Sequence, residues 1–303
     1  MSSERLSPRG LAVGAAAFTI WGLFPAYLHP LSGVPAPEII AHRIIWSCLF
    51  LLIVMLLRAE LGRLTLAFGK PRLLAGLATS AFLISCNWLV YVWSVTHHYI
   101  VESSLGYYIN PLVNVLLGVL VLRERPNAVQ WSAIALASLA VLYLALQAGR
   151  PPWIAFALAL SFSLYGFVRK VISVDALPGL ATETLLLLPL ALGYLAWCEV
   201  TGIAAFGRAG PAITALLIGS GVVTAVPLFL FAYAARRLPY STVGVLQYIG
   251  PSLQLACGVL FYDESFGRAR AAGFALLWAA LVIYAADGLW RARRAARGAR
   301  RAT

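Results

Sequence analysis

Acidic side chains are scarce in this chain: 11 aspartates and glutamates in 303 residues, against 23 lysines and arginines. Charged residues make up 11% in all. A soluble domain carries about 25%, so there is too little charge here to cover a water-facing surface. Cysteine is sparse too. Cys48, Cys86, Cys198 and Cys257 fall inside apolar runs with no CxxC or Cys/His spacing, which argues against a disulfide framework and leaves them as small apolar residues. Signatures of catalysis are missing: there is no HExxH, no serine nucleophile elbow and no suitably spaced carboxylate pair. Without a Gly-rich GxxxxGK(S/T) loop, ATP-driven transport is disfavoured. Neither an enzyme nor a cofactor is expected.

Apolar residues fill the space, at 61% with a mean hydropathy of +0.85. They recur as ten runs near 9–28, 37–57, 71–96, 101–122, 127–147, 152–171, 180–199, 211–235, 240–262 and 269–290. Runs of this length read as membrane spans. MSSERLSPRG leads into the first run without an A-x-A-like cleavage site, so that run is expected to be a retained helix and not a signal peptide. With the amino terminus inside, 18 of the 23 basic residues fall in cytoplasmic segments. Only Arg150, Arg208, Arg268 and Arg270 fall outside, and Arg43 lies within a span. That asymmetry sets both termini in the cytoplasm. The net charge of +12 therefore marks topology and not nucleic acid. The tail RARRAARGARRAT fixes topology, with contact to anionic lipid or a partner as the other reading.

Two stretches match at a shift of 140: LGYYINPLVNVLLGVLVLRE at 105–124 and VLQYIGPSLQLACGVLFYDE at 245–264. The shift pairs Tyr108 with Tyr248, Pro111 with Pro251, Asn114 with Gln254 and Glu124 with Glu264. FTIWG at 18–22 resembles FSLYG at 162–166. The pattern predicts two five-helix repeats, 1–147 and 148–290, followed by the basic tail 291–303. Five is odd, so the second copy is inverted, as in secondary transporters whose solute site lies near the midplane. Pro111 and Pro251 should then meet near mid-membrane, and Glu124 and Glu264 should mark opposite faces. Each proline frees the carbonyl four residues earlier, Tyr107 or Gln247, which calls for a wet cavity or a neighbouring donor.

Polar residues within spans are few. Asn87, Trp88 and Tyr91 share one helical face, with Trp93 to the side. Trp21 and Tyr165 are repeat-related, each followed by a glycine. Together they suggest an aromatic, weakly polar pocket for a small amphipathic or aromatic solute. His42 and Arg43 lie two turns into the second span, where charge needs a partner or water. Glu102 or the His97/His98 pair is the expected partner for Arg43. Arg169, Lys170 or Arg236/Arg237 is expected for Glu183. Arg43 reads equally as an anchor or a substrate contact, Glu183 as structural, and His42 or Glu183 as a possible proton-coupling group. Adjacent histidine rings diverge, so His97, His98 and Glu102 are not expected to bind metal.

HRIIWS (42–47), NW (87–88), ESSLGYYINPLVN (102–114), YGFVRK (165–170) and QYIGP (247–251) resemble the RarD branch of the EamA-type permeases, in the drug/metabolite transporter superfamily. The resemblance implies an all-α integral membrane protein with ten transmembrane helices as two inverted five-helix repeats. It implies a central cavity formed by spans 1, 3, 4, 6, 8 and 9, and export-type or facilitative movement of metabolites or drugs. The expected substrate-binding set is Trp21, Asn87, Trp88, Tyr91, Tyr107, Asn110, Asn114, Tyr165, Gln247, Tyr248 and Gln254, with Pro111 and Pro251 as kinks. It sets His42, Arg43 and Glu183 on peripheral spans, and with Glu102 these are possible coupling or structural charges. The expected setting is a bacterial inner membrane, as monomer or homodimer, with a small-molecule solute and membrane lipid as partners. The alternative function is a flippase for an amphipathic or lipid-linked carrier.

Overall fold

A computed structural model describes residues 8–121, 127–148, 151–172, 174–235, 238 and 246–301. Glu124, Arg236 and Arg237 lie outside the described residues, as do the side chains of Pro111, Lys170 and 291–301. In a bilayer core each backbone N–H and C=O must be satisfied within the protein, and the apolar runs do this as helices. In chain order these are α1 Pro8–Gly22, α2 Phe24–Leu28 with a 3-10 turn His29–Leu31, α3 Ala36–Leu57, the short α4 Gly62–Phe68, α5 Pro71–Thr96 and α6 Ile100–Leu120. They continue with α7 Ala128–Ala148, α8 Trp153–Val171, α9 Ala176–Thr201, α10 Pro211–Ala235, α11 Ile249–Phe261 and α12 Arg268–Arg301.

Among the described residues, five helices are long and apolar enough to cross a membrane, or six if the bent pair α1–α2 counts as one. Leu57, Leu146, Leu190 and Val200 stand exposed on the outside, as lipid-facing residues do. This is a multi-pass membrane protein. The larger count of ten rests on α6, α8, α11 and α12 also acting as spans.

The first run is not the single helix expected over 9–28. It breaks at Leu23 with a bend of 41°. Pro25, in the first turn of α2, removes the amide that would bond the Trp21 carbonyl, and proline is the usual cause of such a kink. Side chains of α11 meet the freed groups: Gln254 Nε2 donates to the Trp21 carbonyl at 3.4 Å, and Cys257 Sγ lies 3.8 Å from the Gly22 carbonyl.

The matched prolines also depart from expectation. α6 runs unbroken through 111, whereas Pro251 sits in the first turn of α11, after a turn at Gln247–Tyr248. In a first turn the missing N–H sacrifices no helical bond. The two prolines are therefore not equivalent mid-helix kinks. Prolines also occur inside helices at Pro189 in α9 and Pro227 in α10.

In the packing, α6 lies on α8 and α11 on α1; α5 lies on α8 and α10 on α1. α3 is held between α9 and α10, and α7 pairs with α12. The α3–α10 approach is close because residue 221 is glycine: a Cβ there would lie 2.4 Å from the Trp46 carbonyl carbon. Ser47 Oγ donates to the Gly221 carbonyl at 3.3 Å across this contact. One turn further along α10 stands Thr224, and this approach delivers it to Arg43.

Candidate functional site

α3 is apolar almost throughout, yet its second turn carries Arg43, whose side chain is only 6% exposed. Its Nε donates to Thr224 Oγ1 at 2.7 Å. Its Cζ lies over two rings, 4.7 Å from the centre of Phe24 and 4.5 Å from that of Trp88. Cation–π contact of this kind offsets part of the cost of burying the charge. Nη1 has no hydrogen-bond partner among the described residues.

The expected partners of Arg43 are engaged elsewhere. Glu102 accepts from Ile154 N at 3.1 Å, at the amino terminus of α8, where a carboxylate is favoured by the helix dipole. His97 stacks on Trp93, with ring centroids 4.5 Å apart, and His98 meets Tyr262 edge-on at 5.4 Å.

Aromatic contacts run inward from Arg43. Tyr91 stacks on Phe24 at 6.1 Å and meets Tyr107 edge-on at 5.7 Å; its buried hydroxyl has no partner among the described residues. Tyr107 donates to Asn87 Oδ1 at 3.4 Å, and Asn87 Nδ2 is spent on the Leu158 carbonyl at 3.1 Å and Ser161 Oγ at 3.0 Å. Phe162 bridges Tyr107, at 6.0 Å, to Tyr165, at 6.1 Å. On α6, Tyr107, Asn110 and Asn114 share a face at i, i+3 and i+7 spacing. Asn110 is fully buried, and both its side-chain amide atoms are unpartnered among the described residues. Asn114 is exposed, on the side of α6 opposite Leu112, which faces Ala133 of α7 and Ala280 of α12. A polar line thus leads from the cage toward one end of the bundle.

At the end formed by the loops around 29–35, 97–99, 202–210 and 262–267, carboxylates cap backbone amides from distant segments. Glu264 accepts from Val101 N at 2.9 Å and from Ile100 N. Burial pushes its carboxyl above the ordinary range, while these two amides pull it back down. Tyr262 donates to the Pro25 carbonyl at 2.9 Å. Glu38 Oε1 accepts from Ala205 N at 2.8 Å and Phe206 N at 3.1 Å.

Residues 8–146 match the model of the EamA-like transporter family. "Protein RarD" of Streptomyces exfoliatus is 44% identical over 294 residues, covering 97% of this chain and 93% of that protein. An "uncharacterized transporter" of Pseudomonas aeruginosa is 45% identical over 288 residues, covering 94% and 96%. "Protein RarD" of Escherichia coli K12 is 42% identical over 286 residues, covering 94% and 97%. The chain belongs to the RarD branch of the EamA-like transporter family. A solved crystal structure only 15% identical also superposes with a TM-score of 0.61, over 91% of this chain and 96% of that one, which shows a shared fold.

Within this RarD-type chain the expected residues form two groups. Asn87, Trp88, Tyr91, Tyr107, Asn110 and Asn114 gather along α5 and α6, with Tyr165 reached through Phe162. Trp21, Gln247, Tyr248 and Gln254 lie on the α1–α11 side. There Trp21 packs with Phe18 at 5.5 Å and Phe231 at 5.9 Å, and Tyr248 stacks on Tyr108 at 6.4 Å. Gln254 has a structural task at the α1 break, although its Oε1 is buried and unpartnered. His42 accepts from Trp46 Nε1 at 3.3 Å through Nδ1 and stacks on Phe206 at 4.6 Å. Glu183 pairs with Arg169 at 3.5 Å and accepts from Ser80 at 2.6 Å and Tyr165 at 3.4 Å. Sequence reading missed Phe24, Tyr27, Thr224, Glu38 and Tyr262. Only Glu38 carried a signal, as a lone acid in the first turn of an apolar helix.

Proposed function

We propose that this membrane transporter moves a small organic metabolite or drug-like solute across the bacterial inner membrane by alternating access. The two repeats are 1–147 and 148–290, the second inverted, with ten spans and both termini cytoplasmic. The observation that carries the reading is the cage of Phe24, Trp88, Tyr91 and Tyr107 around Arg43, continued by the Asn110 and Asn114 face of α6. Solute sites take this form: an apolar, aromatic wall with a few polar groups that fix orientation.

The packing supports a five-plus-five exchange. Swapping each helix for its counterpart turns the α6–α8 contact into α11–α1, and the α5–α8 contact into α10–α1. Such correspondence is the geometry of inverted-repeat transporters. The loop end corresponds to the exterior by the distribution of Lys and Arg, and there Glu264 and Tyr262 tie the second half to the first. Asn114 and Gly166 are exposed and lie in the later parts of α6 and α8. This reading makes the structure inward-facing.

The test is flux into proteoliposomes across a panel of anionic, neutral and cationic aromatic solutes. Tyr91→Ala, Tyr107→Phe and Gln247→Ala are expected to lower flux with folded protein retained. Absence of flux for the whole panel, or flux indifferent to all three changes, sinks the assignment. Lipid scrambling without solute flux would favour a flippase.

A further inference from the structure

A buried arginine in a membrane span normally faces a carboxylate, a water-filled space or the interface. Arg43 has no ion pair among the described residues. Three described carboxylates on α3, on α6 and at the loop end make contacts elsewhere: Glu38, through Oε1, with Ala205 and Phe206, Glu102 with Ile154, and Glu264 with Ile100 and Val101.

The orientation of the guanidinium carries the argument. Phe24 and Trp88 meet it through their ring faces, and Thr224 takes Nε. Nη1, an in-plane donor, is left unfilled in a side chain more than nine-tenths buried. A guanidinium offers its in-plane N–H groups in a fork that matches a carboxylate or phosphate. The hydroxyl of Tyr91 is a second unpartnered buried group, on a ring stacked against Phe24. One unfilled in-plane donor beside one unfilled phenol fits the acidic group of a small organic anion. A cation would meet the fixed positive charge instead. A neutral solute would leave the charge uncompensated.

The geometry points to Arg43 as the anchor for the acidic group of an aromatic or apolar organic anion, with Tyr91 donating to the same group. This rests on the transporter reading and names its substrate class. Of the two readings that the sequence leaves open for Arg43, anchor or substrate contact, it takes the second.

The experiment titrates purified protein with matched probes, read by the fluorescence of Trp88 after background subtraction with Trp88→Phe. The probes are benzoate and phenylacetate, the neutral benzamide, and the cation benzylammonium. The carboxylates are expected to bind at least tenfold more tightly than benzamide, with benzylammonium weakest. Arg43→Gln should abolish the preference, and Arg43→Lys should retain part of it. Should Arg43→Gln fail to fold, as judged by size-exclusion profile, Thr224→Ala removes the Nε partner and should still weaken the carboxylates selectively. Equal or tighter binding of benzamide or benzylammonium overturns the proposal, as does an undiminished preference in Arg43→Gln or binding by no carboxylate. The flux panel separates the two readings: transport confined to neutral or cationic solutes removes the anion assignment alone, and no transport at all removes the transporter reading.

Discussion

Tyr108 and Tyr248, 140 residues apart in the chain, stack with ring centroids 6.4 Å apart and planes 15° from parallel. They are counterparts in the matched stretches. Tyr108 also shares a 2.6 Å hydrogen bond with Ser252 of α11. Its ring is fully buried, whereas Tyr248 is half-buried. Tyr108→Ala should therefore destabilise by about 3–5 kcal/mol, as large aromatic deletions do. Tyr108→Phe, losing only the hydroxyl bond, should cost about 1 kcal/mol. Unfolding in detergent with a mild denaturant ranks the two; equal costs would mean that the ring is not packed as described.

Gly221→Ala tests the α3–α10 approach. The added methyl meets backbone, which cannot swing aside as a flexible side chain can. Overpacking of this sort costs about 1–3 kcal/mol. The same change should lower carboxylate affinity, because Thr224 would draw away from Arg43. A stability measurement unaffected by the methyl would show that the helices are further apart.

Charged pairs at the other end should differ sharply in value. Glu183 is 1% exposed with three partners, so Glu183→Ala strands Arg169 and should cost about 3–5 kcal/mol. The Arg63–Asp175 pair, 3.3 Å apart, is exposed on both sides, and Asp175→Ala should cost less than about 1 kcal/mol. A comparison of the two variants in the same denaturant series decides it.

Glu264 gives a pH dependence. Its carboxyl is raised by burial in the sealed loop end, so that sealed form binds a proton more readily than an open one. The contribution to sealing is full below the carboxyl's ordinary pKa, about 4.3. It is lost as pH rises through the raised value. Hydrogen exchange at Ile100 and Val101, corrected for intrinsic rates, should show protection falling across that window. Glu264→Gln should flatten the profile, and a slope unchanged in that variant would clear Glu264 of the effect.

The helical membrane architecture was legible because apolar runs of span length have few other fates. The α5 face of Asn87, Trp88 and Tyr91 was legible because 3.6-residue periodicity fixes which residues share a side. The partner of Arg43 was misread for a physical reason. Membership of a helix does not give the rotation of that helix, and an arginine side chain reaches well past its own backbone. Glu102 looked available to it from sequence order, but the amino terminus of α8 holds that carboxylate. The break at Leu23 escaped notice because Pro25 follows the aromatic FTIWG motif inside one unbroken apolar run, where hydropathy has no view of the backbone.

That break gives α2 a mechanical character. Over five residues the segment touches three separate parts of the protein: the Pro25 carbonyl takes the Tyr262 hydroxyl, the Phe24 ring covers Arg43, and the Tyr27 hydroxyl donates to the Leu216 carbonyl of α10. At the hinge Leu23 N still donates to the Thr19 carbonyl at 2.9 Å, and Pro25 leaves the Trp21 carbonyl without its helical donor. α2 thus ties residue 262, α10 and the ring over the guanidinium together through one short segment.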